Sequence, residues 1–149
     1  MPRWRSSDSS RKELLAALET GDSKELGCAG ENFAADFLKG LNFRILRKNF
    51  KPHHGGEVDF VCRDKRGADQ NALVFTEVKT RRSDAWGRPA LAVNTEKQKY
   101  IIRGALEWLR LLDNPDIPFR FDIVEVLAEP EPRATLIENA FQLPDGMLY

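Results

Sequence analysis

Two stretches of this sequence decide its fold: Gly55-Gly56-Glu57-Val58-Asp59-Phe60 and Phe75-Thr76-Glu77-Val78-Lys79-Thr80-Arg81. Both have the composition of β-strands. Residues two apart on a strand share a face, so Glu77 and Lys79 project together while Val78 points to the other side. Glu57 and Asp59 have the same relation on the earlier strand. If the strands pair, carboxylates meet beside an ammonium group, which is the minimum set for holding a hard divalent cation and activating a water.

The segments around these strands predict an α/β protein with a mixed β-sheet flanked by helices. Apolar residues recur at helical spacing over about 24–39 and 95–112. Short apolar runs bounded by turn residues predict strands, and these lie at 43–47, 57–62, 72–80 and 119–127, with a short edge strand at 134–137. The expected order is therefore α-β-β-β-α-β followed by that edge strand.

Helix ends are predicted from capping residues. Ser23 is the expected N-cap of the first long helix, and Gly40 is expected just after its last turn. Thr95-x-x-Gln98 has the pattern of a capping box at the start of the later helix. The segment 83–93 is predicted to be a loop long enough to be functional.

Length and composition favour a single domain preceded by a short extension. The chain has 149 residues, of which 42% are hydrophobic and 31% charged, enough for one core. We expect residues 1–22 to form a partly disordered N-terminal extension, with a short helix at about 11–20, and residues 23–149 to form one domain. No apolar run is long enough to span a membrane, and no secretory signal is present, so a cytoplasmic protein is expected.

Charge is neutral overall but unevenly distributed. Residues 31–110 carry 16 Lys and Arg against 10 Asp and Glu, while the flanks carry 7 against 13. The acidic strands therefore lie within a basic middle segment. That setting suits a polyanionic substrate held through a metal, although a run of charge is also what a solvated surface shows.

The candidate metal ligands are the carboxylates of Asp59 and Glu77, with the backbone carbonyl of Val78 as a further ligand. Mg²⁺ prefers oxygen ligands and keeps several waters, so one or two carboxylates and a substrate phosphate suffice. Lys79 beside them would orient the attacking water or stabilise its charge. Glu31, on the border of the apolar side of the first long helix, is a further candidate ligand, directly or through water. The alternative is a surface Glu–Lys pair on a solvated sheet face.

The candidate nucleic-acid contacts are basic residues on both sides of the acidic strands. Such residues bind phosphates and fix position without reading sequence. A lysine in the first turn of a helix opposes the helix dipole, so a nearby phosphate would favour it there. Trp86 either stacks on a base or anchors its loop. The basic candidates are Arg44, Arg47, Lys48, Arg81, Arg82, Arg88 and Lys97.

Together these motifs resemble the YraN-like bacterial proteins, an uncharacterised family within the PD-(D/E)xK nuclease superfamily that is similar to archaeal Holliday junction resolvases. The residues that carry the resemblance run from about 24 to 127: Gly27-x-x-Gly30-Glu31, Gly56-Glu57-x-Asp59, Glu77-Val78-Lys79-Thr80-Arg81, Gly87-x-Pro89 and Lys97. The resemblance implies a restriction-endonuclease-like core and a Mg²⁺- or Mn²⁺-dependent phosphodiesterase site. Carried over by position, that site is Glu31, Asp59, Glu77 and Lys79. One departure is that Val58, not proline, precedes Asp59.

The function expected from the sequence is a metal-dependent DNA endonuclease acting on branched or otherwise structured DNA. Resolvase-like relatives dimerise to cut two strands, which suggests a homodimer. Two alternatives stay open: a nucleic-acid-binding module with a non-catalytic nuclease-like site, and a scaffold that binds a protein partner.

Overall fold

The computed structural model describes residues 6–67, 71–83 and 93–146. Within these ranges the chain forms three helices and five strands. In chain order these are α1 (Asp8–Thr20), α2 (Ser23–Gly40), β1 (Phe43–Phe50), β2 (Val58–Asp64), β3 (Leu73–Arg81), α3 (Thr95–Leu111), β4 (Phe119–Leu127) and β5 (Arg133–Phe141). The predicted mixed α/β fold is confirmed, and it is consistent with a restriction-endonuclease-like core. None of the helices in the described ranges is both long and apolar enough to cross a membrane.

The five strands form one mixed sheet in the order β1-β2-β3-β4-β5. Neighbours pair antiparallel, except that β3 and β4 are parallel. A parallel pair needs a crossover connection, and α3 supplies it. The predicted pairing of β2 with β3 is confirmed, with Phe60 opposite Thr76 and Arg63 opposite Leu73.

Helices cover both faces of the sheet, and each face has its own apolar core. Helices α1 and α2 pack on one face, where Val74 and Val78 of β3 contact them. Helix α3 packs on the other face, against Leu73 and Phe75. The side chains of β3 thus alternate between two buried layers. Val78 points away from the α3 layer, as the period of the strand predicts.

Several boundaries differ from the sequence expectation. Helix α1 begins at Asp8, and its Leu14 is fully buried in the same core as α2. Strand β5 has nine residues, so the short edge strand expected at 134–137 was too short. The division of the chain at residue 22 stays a prediction.

The N-caps of both long helices lie one residue earlier than predicted. Asp22 caps α2 by accepting the backbone N–H groups of the first turn, so the prediction of Ser23 was wrong. Asn94 caps α3, and Gln98 reaches back to the carbonyl of Val93. Asn and Asp are at least as good N-caps as Ser or Thr, since their side-chain oxygens reach the same free amides.

Two close contacts that require glycine set the positions of the helices against the sheet. A Cβ at Gly30 of α2 would overlap the side chain of Thr80 on β3. Gly56 has φ +92°, and a Cβ there would lie 2.8 Å from the Cα of Gly104 on α3. The first contact brings α2 onto the end of β3, and the second brings α3 onto the turn that enters β2. Both helices therefore meet the sheet at the same end, where the interior strand β2 begins and the interior strand β3 ends.

Replacing Gly30 by alanine is expected to destabilise the protein by about 1 to 3 kcal/mol, because Thr80 or the helix must move to admit a methyl group. Gly27→Ala is the matched control in the same helix, since nothing lies within 4 Å of its Cβ position. It should stabilise the protein by about 0.5 to 1 kcal/mol through helix propensity. Urea unfolding of both variants tests the contact. Equal effects of the two substitutions would show that α2 does not approach β3 as described.

A buried ionic network ties β2, β4 and β5 together at the other end of the sheet. Asp64 is fully buried and lies 2.9 Å from guanidinium nitrogens of both Arg66 and Arg120. Arg120 also pairs with Asp122 at 3.0 Å, and Arg66 with Glu138. Burial would raise the pKa of Asp64, but its hydrogen bonds from the two arginines outweigh burial and lower the pKa to about 2. Full pairing of this kind is what a buried charge requires.

Candidate active site

The candidate site lies where the ladder between β2 and β3 ends. The pairing stops at Phe60 and Thr76, so the next free amide of β3, that of Val78, has no strand partner in β2. The Asp59 carboxylate accepts that N–H at 2.9 Å instead. Strand alternation also breaks here, because Val58 packs in the α3 layer and Phe60 in the opposite layer. Asp59 is therefore held at this end of the sheet, within reach of both layers.

Asp59 and Glu77 form a buried carboxyl pair at this end of the sheet. They are 8% and 5% exposed, and each carboxyl lies close enough to the other to shift its pKa. Burial, followed by the nearby Asp59 carboxylate, raises the pKa of Glu77 to about 8. Burial also raises the pKa of Asp59. Two adjacent carboxyls in an apolar setting cannot both hold a negative charge cheaply, so the pair retains a proton or needs a cation.

Two lysines supply positive charge from the α3 side. Glu77 and Lys79 lie on the same face of β3, and the Lys79 ammonium is close enough to lower the pKa of Glu77. Lys97 comes from the first turn of α3, and its Nζ lies 3.5 Å from Oε1 of Glu77. The structure thus places both predicted lysines beside the predicted carboxylates.

Glu31 and Glu57 flank the pair. Glu31 follows Gly30 on α2, on the opposite side of the sheet from α3, and is half-buried. Burial and then the charges of Asp59 and Glu57 raise its pKa, which places it within electrostatic reach of the site. Glu57 lies just before β2 and pairs with Lys51 at 3.5 Å. The close packing of Gly30 on Thr80 is what brings Glu31 to this end of the sheet.

The residues present fit a hard, partly hydrated cation. Within the described ranges no three carboxylate, histidine or cysteine side chains are arranged as a closed metal site. A structural zinc centre would need such a set. Mg²⁺ needs fewer protein ligands, because it keeps waters and takes substrate phosphate oxygens. Asp59 and Glu77 supply two buried carboxylates of the kind such a cation takes, and the Val78 carbonyl and Glu31 stay candidate ligands.

The remaining basic candidates separate into groups. Arg44 and Arg47 are exposed on the edge strand β1. Arg81 follows Lys79 on the same face of β3 and is half-buried. Arg82 lies 3.5 Å from Glu129 and also contacts the carbonyl of Leu18.

The face on which each basic side chain lies shows which candidates can reach the carboxyl pair. Lys48 pairs with Phe60, whose side chain packs in the α1–α2 layer, so Lys48 faces away from α3. Lys97 contacts Glu77 of the pair directly, and Arg81 lies on the same face of β3 as Glu77. Arg88 and Trp86 lie outside the described residues.

One buried acid near the site was not predicted. Glu125 of β4 is 3% exposed and is the register partner of Lys79. Its side chain follows Phe121 and Ile123 on the α3 face. The sequence does show an acid two residues after the apolar pair Phe121 and Ile123, on the same face of the strand. The pairing of β4 with β3 was needed to place that acid beside Lys79.

The fold and site define a mixed α/β protein with a buried carboxyl pair and two lysines at one end of its sheet. The chain belongs to the family described as Uncharacterised protein family UPF0102, whose sequence model matches residues 30–126. That span contains Glu31, Asp59, Glu77, Lys79 and Lys97. The YraN-like resemblance is thereby confirmed at the level of the family.

Relatives from several bacteria match across most of their length. A UPF0102 protein of Geobacter sulfurreducens is 44% identical over 123 residues, covering 81% of this chain and 91% of the relative. One from Geotalea daltonii is 44% identical over 125 residues, covering 82% and 93%. One from Symbiobacterium thermophilum is 42% identical over 123 residues, covering 80% and 98%.

Proposed function

We propose that this protein is a Mg²⁺-dependent DNA endonuclease of the PD-(D/E)xK type, acting on branched or otherwise structured DNA. The observation that carries the proposal is the buried Asp59–Glu77 pair with Lys79 and Lys97 beside it. A buried carboxyl pair destabilises a fold unless a cation or a proton compensates it, so its presence favours a functional role. We also propose that the protein is cytoplasmic, binds DNA and acts as a homodimer.

Each residue has a distinct role in this mechanism. Asp59 and Glu77 would hold the cation, with the Val78 carbonyl as a third protein ligand and Glu31 beside them. When bound, Mg²⁺ or Mn²⁺ would lower the pKa of a water and neutralise charge on the phosphate. The Val78 amide fixes the Asp59 carboxylate in place.

The lysines act on the reacting groups. Lys79, on the same face as Glu77, orients the attacking water and stabilises its developing negative charge. Lys97 and Arg81 hold phosphate oxygens of the substrate, and Arg44 and Arg47 on the edge strand extend the basic surface. Contacts of this kind position a nucleic acid without reading its sequence.

Divalent cations should raise the melting temperature of the wild type, because they bind only the folded arrangement. A cation at about 100 times its Kd adds about 2.7 kcal/mol, which corresponds to roughly 5 to 10 °C for a chain of this size. Glu77→Gln and Asp59→Asn should lose this rise. Without metal, Glu77→Gln should be at least as stable as the wild type, since it removes one of two adjacent buried carboxyls. Thermal unfolding with Mg²⁺ and Mn²⁺ measures both effects.

Glu131→Gln is the control, because this acid is exposed and lies after β4, far along the chain from the pair. It should keep the full metal-dependent rise. A rise that persists in both Glu77→Gln and Asp59→Asn would place the cation elsewhere and remove the basis of the proposal.

A further inference from the structure

Lys97 makes one ion pair among the described residues, and that pair is with the candidate metal ligand Glu77. The Lys97 side chain is 34% exposed, while the Glu77 side chain is almost fully buried. The charge of Lys97 also acts on Asp59. An ammonium 3.5 Å from Glu77 Oε1 therefore supplies part of the positive charge that the carboxyl pair requires.

The backbone of Lys97 is anchored by the N-cap, while its ammonium group can adopt more than one position. The Lys97 N–H donates to Oδ1 of the N-cap Asn94 at 2.9 Å, which anchors the backbone of Lys97 in the first turn of α3. The ammonium also lies 5.4 Å from the centre of the Tyr100 ring, an aromatic face that can hold a cation. The flexible four-carbon stem allows the ammonium group to leave Glu77 while staying close to the carboxyl pair.

A divalent cation and the Lys97 ammonium compete for the same oxygen. Once Glu77 binds a cation, the ammonium loses its partner and meets a like charge at short range. A first turn of a helix is also an unfavourable place for an unpaired positive charge. A phosphate oxygen at the mouth of the site would satisfy the released ammonium.

We propose that Lys97 is the internal counter-ion of Glu77 in the metal-free protein, and that cation binding frees it to hold a phosphate of the DNA. This inference rests on the proposed function. It makes Lys97 a positioning residue that couples the two ligands. The cation should therefore raise DNA affinity, and by reciprocity DNA should raise cation affinity.

Lys97→Met tests this coupling with two measurements of opposite sign. Mn²⁺ binding, measured by electron paramagnetic resonance at about pH 8.5 to limit proton competition, should become roughly three- to tenfold tighter, the effect of losing one partly buried ion pair. Binding of a labelled four-way DNA junction in Ca²⁺, measured by anisotropy, should become weaker. The increase in DNA affinity between chelator and Ca²⁺ should shrink in the variant.

Two further variants separate charge from structure. Lys99→Met is the matched control, because Lys99 lies two residues further along α3 and pairs with the exposed Glu96 at 3.9 Å. It should leave Mn²⁺ affinity unchanged. Lys97→Arg keeps the charge and should retain wild-type Mn²⁺ affinity.

The outcomes distinguish this inference from the proposed function. Tighter Mn²⁺ binding with reduced coupling in Lys97→Met supports the inference. If the wild type binds Mn²⁺ and Lys97→Met binds it equally or more weakly, the counter-ion role of Lys97 is overturned, while the proposed metal site stands. Tighter Mn²⁺ binding with wild-type coupling overturns the role in DNA binding. Absence of Mn²⁺ binding to the wild type overturns both.

Discussion

Replacing Lys79 by methionine is expected to reduce metal-dependent DNA cleavage by about 10² to 10⁴-fold, the range typical for losing a group that moves a proton or stabilises developing charge in the transition state. Methionine keeps an unbranched stem in the half-buried position and removes only the charge. The strand itself is fixed independently, because Thr80 packs on Gly30 and Val78 is bonded to Asp59. The fold should therefore persist.

This loss should fall on turnover and not on cation binding. Removing a positive charge next to Glu77 leaves the cation ligands in place, so Mn²⁺ should bind at least as tightly as to the wild type. Single-turnover cleavage of a structured DNA, together with Mn²⁺ binding, separates the two effects. Lys99→Met on α3 serves as the control and should cleave normally. Wild-type cleavage rates in Lys79→Met would remove Lys79 from the mechanism.

Replacing Asp64 by asparagine is expected to destabilise the protein by about 3 to 5 kcal/mol at pH 7, the usual cost of breaking a buried ion pair from one side. Asp64 accepts hydrogen bonds from Arg66 and contacts Arg120 at 2.9 Å. An amide replaces one of the two accepting oxygens with a donor NH₂ group, so it loses the contacts that this oxygen makes with the guanidinium groups. Part of the positive charge near Phe43 would then be left without its partner.

The same carboxylate predicts how stability depends on acid. Folding lowers the pKa of Asp64 from 3.8 to about 2, so the folded state binds fewer protons than the unfolded state in this window. The stabilisation is fully present above pH 3.8 and is lost as the pH falls through about 2. Asparagine does not titrate. The gap in unfolding free energy between wild type and Asp64→Asn should therefore narrow between about pH 4 and pH 2.

Urea unfolding at several pH values measures this gap. Glu96→Gln is the comparison, because Glu96 makes an i,i+3 pair with Lys99 on the exposed surface of α3. An exposed pair of this kind contributes little, so this variant should stay close to the wild type. A constant gap between wild type and Asp64→Asn across the acid range would show that the Asp64 carboxylate is not the stabilising group.

Much of the fold follows from local pattern. Strand β4 was predicted with its observed bounds, and α3 to within one residue, because their apolar residues recur at regular spacing over a long segment. The pairing of β2 with β3 follows from their proximity along the chain. That pairing is also why Asp59 and Glu77 could be expected to meet.

What the sequence could not supply depends on contacts between distant residues. The role of Asp59 in binding the Val78 amide requires knowing where the β2–β3 ladder stops. The burial of Glu125 requires knowing that β4 lies beside β3. The contact of Asp64 with Arg120 joins residues on strands that are not neighbours in the sheet. Such contacts leave no periodic signal in either segment.

Nuclease activity is tested by incubating labelled forked, four-way and duplex DNAs with the wild type in Mg²⁺ or Mn²⁺, beside a chelator control and an identically purified Glu77→Gln sample. We expect cleavage of at least one structured DNA by the wild type, with no products in chelator or with Glu77→Gln. Products of equal yield from Glu77→Gln would identify a contaminant. Folded wild-type protein that binds Mn²⁺ and DNA but cleaves none of the three DNAs would rule out the nuclease activity and favour a nucleic-acid-binding module instead.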